Sequence, residues 1–239
     1  MPKIRNNIKL LSIHIPKTAG SSFQKTLETI YGKDVFCRLD FTVQNDSGEN
    51  NIIAKNQTRQ EDLDSIISTG SLNNKIEVLH GHIHFQDFNS VFESHPDLKV
   101  ITWLRHPVER VISNYNYLRA RFEAESTLSP VARKLFNRLV MSLLDFARLP
   151  RDIHMYRDYT TGKPLEDFDF IGITEDYDND LERLAKILDW PSVPSFHINK
   201  TQKKPFQPTE SELQKLVEIC SEGLEVYNRA KELKIKEQK

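Results

Sequence analysis

The chain has 239 residues and a mass of 27.9 kDa, enough for one domain with a substantial core. Its net charge of −1 and pI near 6.7 exclude a general nucleic-acid-binding surface, though not a local basic cleft. No run of about 18 apolar residues occurs, so no segment is expected to span a bilayer.

The first predicted strand is Ile8–Ile15, rich in β-branched and aliphatic residues. After a loop, Phe23, Leu27 and Ile30 recur at helical spacing. Residues 40–57 are polar and asparagine-rich and read as a surface loop. Thr58 and Glu61 have capping-box spacing ahead of a helix face made of Leu63, Ile66 and Ile67. Strands are expected at Ile76–Leu79 and Leu98–Leu104. Pro107 suits the first turn of a helix with Val108, Val111, Ile112, Tyr115, Leu118 and Phe122 on one face. A strand at Phe168–Ile173 precedes a helix carrying Leu181, Leu184, Ala185 and Leu188, ended by Trp190-Pro191. One last helix is predicted from Thr209, with Glu212 completing its cap and a stripe of Leu213, Leu216, Val217, Cys220, Leu224 and Tyr227. This alternation predicts an α/β fold with a mainly parallel sheet. Neither a repeat nor a second domain is evident, so residues 1–239 are expected to form a single domain.

Between the first strand and helix lies Pro16-Lys17-Thr18-Ala19-Gly20-Ser21-Ser22-Phe23. A strand–loop–helix turn aims backbone N–H groups at one spot, and the helix N-terminus adds partial positive charge. Small residues at Ala19, Gly20, Ser21 and Ser22 allow close approach, Lys17 supplies a full charge, and Thr18, Ser21 and Ser22 supply hydroxyls. The loop reads as a phosphate cradle, or else as an ordinary turn with a solvated lysine. It departs from the nucleotide-triphosphate motif G-x-x-x-x-G-K-[ST], since its lysine precedes its only glycine. No apolar strand ends in a magnesium-holding aspartate; the others run into Leu79-His80-Gly81-His82 and Trp103-Leu104-Arg105-His106.

Pro16–Phe23 resembles the 5′-phosphosulfate loop of sulfotransferases that use 3′-phosphoadenosine 5′-phosphosulfate (PAPS). Arg105-His106-Pro107-Val108-Glu109-Arg110-Val111-Ile112-Ser113 resembles the family's 3′-phosphate segment, and His80-Gly81-His82 resembles the histidine segment of the uronosyl 2-O-sulfotransferases. The three occur in the family's order within residues 8–122, and weaker likeness continues at Phe168–Glu175 and His197–Thr201. The resemblance implies a P-loop-like three-layer fold with helices flanking the sheet, and a PAPS-dependent O-sulfotransferase with no required metal. Its implied nucleotide-binding residues are Lys17, Thr18, Ala19, Gly20, Ser21, Ser22, Phe23, Arg105, Ser113, Lys200 and Thr201, with Asn199 beside them. Lys17 is the implied stabiliser of the leaving phosphate. The implied base is His82, assisted by His80, although alternation of His80, His82 and His84 leaves the assignment between the first two open. A metal site on these histidines is the competing view, disfavoured because no carboxylate or cysteine has matching spacing. His14, His95, His154 and His197 read as structural or surface residues.

Residues 119–157 hold eight Lys or Arg against four Asp or Glu. They read as a helical lid within 119–165 presenting Arg148, Arg151 and Arg157 to an anionic acceptor, or as a solvated helical hairpin. The acceptor expected is a hydroxyl on a glycan or glycolipid, and oligomeric state is not legible. The N-terminus lacks the apolar core of a signal peptide. Cys37 and Cys220 read as reduced thiols. Both points favour a cytoplasmic and bacterial enzyme. A magnesium-dependent kinase or nucleotide hydrolase, and a nucleotide-binding protein without turnover, are the alternatives.

Overall fold

The structure, a computed structural model, describes residues 8–39, 41–44, 51–54, 75–88, 97–124, 141–196, 198 and 206–237. The chain divides into two compact units, residues 1–104 with 159–199, and residues 105–158 with 200–239.

The first unit is built on a five-stranded parallel sheet. Its strands are β1 (Leu10–Ile13), β2 (Phe36–Arg38), β5 (Val78–Gly81), β6 (Lys99–Leu104) and β7 (Phe170–Ile173), in the order β2-β5-β1-β6-β7. Such strands carry near-continuous apolar runs, because a parallel sheet is covered on both faces. Phe36, Val78, Leu10, Ile101, Trp103 and Phe170 form a core with Phe23 and Leu27 of α1 (Gly20–Tyr31) and with Leu181 and Leu184 of a helix at Tyr177–Ile187. The predicted period-3.6 stripes are therefore the faces these two helices bury. Register sets Ser12 of β1 opposite His80 of β5, and Arg38 of β2 opposite the same histidine.

Within the loop expected over residues 40–57, the described residues 41–44 and 51–54 are strands. Phe41–Gln44 (β3) and Asn51–Ala54 (β4) pair antiparallel as a two-stranded sheet. Phe41, Val43, Ile52 and Ile53 carry the β propensity, which the asparagines around them mask in a composition reading. The helix predicted from Thr58 lies outside the described residues.

In the second unit, α2 (Pro107–Ala124) begins with proline as expected. Three short helices follow across the next segment: α3 (Leu143–Ala147), α4 (Pro150–Ile153) and α5 (Met155–Thr160). The helix at Tyr177–Ile187 is α6. The predicted last helix is two, α7 (Glu210–Ile219) and α8 (Ser221–Glu237), with Cys220 as the C-cap between them. Thr209 and Glu212 do form the predicted capping box. Leu216, Cys220 and Tyr227 are buried, while Val217, beside Leu216 within α7, is 48% exposed. Val108, Val111 and Tyr115 of α2 pack with Leu143, Phe146, Leu216 and Cys220. Arg110 and Asp152 form a buried ion pair beneath, with Asn114 donating to the same carboxylate at 3.1 Å. No described helix is long and apolar enough to cross a membrane.

Candidate active site

The loop after β1 has an unusual backbone. Lys17 and Ala19 adopt left-handed conformations, with φ of 72° and 65°. Such conformations cost of order 1–3 kcal/mol in non-glycine residues and recur at functional sites. Ala19 is the N-cap of α1 and has no side chain with which to cap it, and the first turn carries no acid. The Ser22 and Phe23 amides donate to the Ala19 carbonyl at 3.0 and 3.1 Å, so the amides of Gly20 and Ser21, with the positive end of the helix dipole, are the groups that could meet an anion. Thr18 is buried and its hydroxyl donates to the Ile15 carbonyl at 2.8 Å, so it fastens the loop rather than pointing to a ligand. Ser22 is also buried, its oxygen accepting from the Ile198 amide at 3.0 Å. Ser21 and Lys17 are half-buried. Phe23, expected at the nucleotide, lies wholly in the core against Trp103 and Trp190, and its amide donates to the Ala19 carbonyl at 3.1 Å, so it supports the loop from beneath.

Three histidines meet at the start of this loop. The His14 ring stacks against His82, with centroids 4.2 Å apart and planes at 24°, and against His80 at 5.1 Å and 13°. It lies over Gly20 so closely that a Cβ there would sit 1.8 Å from its Nε2, which explains glycine at the first helical position. His80 is fully buried in β5, with Nδ1 2.9 Å from the Ser12 hydroxyl, as the register requires. His82 follows the strand and is half-buried, with Nδ1 2.7 Å from the His14 carbonyl. A carbonyl only accepts, so Nδ1 of His82 carries the hydrogen and Nε2 carries the basic lone pair. Tyr159 meets His82 edge-on at 6.5 Å and the His84 ring at 4.4 Å.

Burial holds the His14 pKa well below its ordinary value, and the positive charge that His82, His80, Arg38 and Lys17 would set nearby pushes in the same direction. The neutral form of His14 is therefore favoured, and its buried Nδ1 has no hydrogen-bond partner among the described residues. The sequence reading set His14 aside as structural or surface, whereas it is the residue joining His80, His82 and the loop. Its position one residue past β1, beside the partner of β5, was the available signal.

Gly81 separates His80 from His82 for a steric reason. A Cβ on it would fall 1.6 Å from the Leu39 carbonyl oxygen. Its own carbonyl accepts from the amides of His14 and Ile83, at 2.7 and 2.9 Å, and so turns the chain directly after β5.

In the second unit, Arg105 immediately follows the end of β6 and is 28% exposed. Its guanidinium stands 3.8 Å from Glu109, four residues on, and Ser113 lies four beyond that on the same side of α2, half-buried. Of the basic residues assigned to a lid, Arg148 pairs with Asp145, and Arg157 pairs with Asp158 and Glu222. Lys200 and Thr201 lie outside the described residues. The described residues contain no cluster of three or more potential metal-ligating side chains.

The family model described as "Sulfotransferase family" matches residues 3–229. Curated protein sequences give no match to the chain. A solved sulfotransferase from Alicyclobacillus acidocaldarius is similar at 17% identity and a TM-score of 0.43, over 91% of this chain and 96% of that one. A mouse sulfotransferase, SULT7A1 complexed with PAP, is similar at 11% identity and a TM-score of 0.45, over 89% of this chain and 64% of that one.

Proposed function

This chain belongs to the sulfotransferase family, and from that premise we propose that it carries a sulfuryl group from PAPS to a hydroxyl of a glycan or glycolipid, as a uronosyl 2-O-type enzyme would. The observation carrying the proposal is that one residue joins the two halves of the chemistry. His14 opens the loop that bears Lys17, and its carbonyl holds His82 in the tautomer of a base.

In this reading, the uncapped start of α1 and the left-handed loop bind the 5′-phosphosulfate through Lys17, the backbone of Thr18, Ala19 and Gly20, and Ser21 and Ser22, with Phe23 supporting the loop from the core. Arg105 and Ser113 bind the 3′-phosphate, a guanidinium being suited to paired charge-assisted bonds. Lys200 and Thr201 retain the nucleotide role that the resemblance gives them. His82 takes the acceptor hydroxyl's proton at Nε2 as the hydroxyl oxygen bonds to sulfur. Lys17 stabilises the charge left on the bridging oxygen as its bond to sulfur breaks, and the nucleotide departs as the 3′,5′-bisphosphate. Sulfuryl transfer, like phosphoryl transfer, is served mainly by positioning and by charges already in place. His80, locked to Ser12 inside the sheet, supports the stack; its burial favours His82 as the base. One functional domain over 1–239, a cytoplasmic location and an anion-facing role for 119–165 are parts of the same proposal.

The test is product mass spectrometry with isotopically labelled PAPS and a panel of neutral and acidic glycans. A labelled sulfate ester on an acidic glycan supports the full reading. Transfer only to non-carbohydrate hydroxyls removes the acceptor class.

A further inference from the structure

Arg105 stands at a junction where neither regular element holds its backbone. β6 ends at Leu104, and α2 begins at Pro107 with its first backbone bond running from the Arg110 amide to the His106 carbonyl. Both polar backbone groups of Arg105 instead meet one side chain 51 residues later. The Arg105 amide donates to the Tyr156 hydroxyl at 3.2 Å, and that hydroxyl donates to the Arg105 carbonyl.

Tyr156 is itself well held. It is 3% exposed, the Arg110 guanidinium lies 6.0 Å from its ring centre, and Arg110 is fixed by its buried pair with Asp152. The ring also abuts Gly223, where an added Cβ would lie 3.7 Å from Cδ2. A hydroxyl that both accepts from and donates to one residue fixes the two dihedrals on either side of its Cα. That sets the point from which the half-exposed guanidinium reaches out.

We propose that Tyr156 is a positioning residue for the 3′-phosphate, acting through the backbone of Arg105. The inference rests on the assignment of Arg105 to that phosphate. It adds that the selectivity for a 3′-phosphorylated nucleotide depends on a hydroxyl that never touches the nucleotide.

The experiment measures calorimetric affinities for adenosine 3′,5′-bisphosphate and adenosine 5′-monophosphate on wild type, Tyr156→Phe and Arg105→Ala. Phenylalanine keeps the buried ring and removes only the hydroxyl. The expected result is a loss of roughly fivefold to tenfold for the bisphosphate in Tyr156→Phe, with the monophosphate changed by less than about twofold. Arg105→Ala should abolish the preference between the two. A preserved preference in Tyr156→Phe beside an abolished one in Arg105→Ala overturns the role of Tyr156 alone. Equal weakening of both nucleotides in Tyr156→Phe also overturns it, since that is what a purely structural role produces. A preserved preference in Arg105→Ala overturns the assignment of Arg105 and the inference with it. Amide hydrogen exchange on wild type gives a reading that needs no variant. The Arg105 amide should exchange slowly and slow further with the bisphosphate but not the monophosphate; rapid exchange unaffected by either nucleotide overturns the proposal.

Discussion

Gly81→Ala would set a methyl group 1.6 Å from the Leu39 carbonyl oxygen and 2.5 Å from its carbon. These are backbone atoms, so no side chain can swing aside. To reach ordinary contact near 3.4 Å the oxygen must retreat by about 1.8 Å (3.4 less 1.6), which separates the chain after β2 from β5. The Leu39 amide bond to the His80 carbonyl, 3.0 Å long, does not survive a shift of that size. Overpacking costs about 1–3 kcal/mol. A buried backbone group left unmatched adds about 1–3 kcal/mol. The sum, roughly 2–6 kcal/mol, is a large share of the about 5–15 kcal/mol that holds a typical protein folded. For a chain of this size it corresponds to a fall in Tm of roughly 4–24 °C. Gly32→Ala is the control: nothing lies within 4 Å of the added carbon, so only backbone strain of about 1–3 kcal/mol is expected at φ 83° and ψ 156°. Urea unfolding of both variants measures the difference. Equal destabilisation of the two, or less than about 1 kcal/mol for Gly81→Ala, would refute the argument that close backbone approach selects this glycine.

Asp152→Ala leaves the buried Arg110 guanidinium unmatched and should cost about 3–5 kcal/mol in urea unfolding; a loss below about 1 kcal/mol would show that the pair is not held dry. His14 binds its proton less readily folded than unfolded, so the unfolded chain takes up more protons as pH falls below the ordinary 6.5. Its contribution is thus fully present above that value and is lost on acidification. The stability difference between wild type and His14→Phe should shrink by up to about 1.4 kcal/mol per pH unit below 6.5, and a flat difference would contradict a neutral buried His14. Lys17→Ala should lower single-turnover rate far more than affinity for the spent nucleotide, because charge builds on the leaving oxygen only in the transition state; equal losses reduce Lys17 to a binding group. His82→Ala should cut kcat by roughly 10²–10⁴ with nucleotide affinity nearly unchanged, and should abolish the rise of wild-type rate with pH through a histidine ionisation. An active His82→Ala enzyme that keeps that acidic limb would move the base to His80.

Local signals in the sequence located β1, β5, β6 and β7, α1, the proline start of α2 and the Thr209–Glu212 cap, though not β2, β3 or β4, because each of the former is written in residues close together along the chain. The strand–loop–helix junction around Lys17 was legible for the same reason. Its hydroxyls were not: Thr18 and Ser22 look alike as donors to a ligand, yet the fold uses one on Ile15 and the other to accept from Ile198, 176 residues away. The break between α7 and α8 also escaped, since Cys220 continues the apolar stripe while serving as a cap.

The histidine cluster shows most clearly where reading along the chain stops. Counting residues puts His80 and His82 on one face of an extended segment and says nothing of His14, which is 66 positions earlier than His80. Parallel pairing of β1 with β5 places Ser12 opposite His80 and Ile13 opposite Gly81, so His14 arrives beside the turn that carries His82. That turn exists because Gly81 has no side chain to strike Leu39. The two rings then divide the labour by burial alone. His14, enclosed, stays neutral and lends its carbonyl, and His82, half-exposed, presents its basic Nε2 from a tautomer it cannot exchange while that hydrogen bond stands. A catalytic imidazole is usually oriented by a carboxylate or a carbonyl at its other nitrogen, and for the base proposed here that carbonyl belongs to His14, just before the loop that bears Lys17. If the proposed roles hold, loop and base are joined directly, by this hydrogen bond of 2.7 Å and by the stacked rings of His14 and His82.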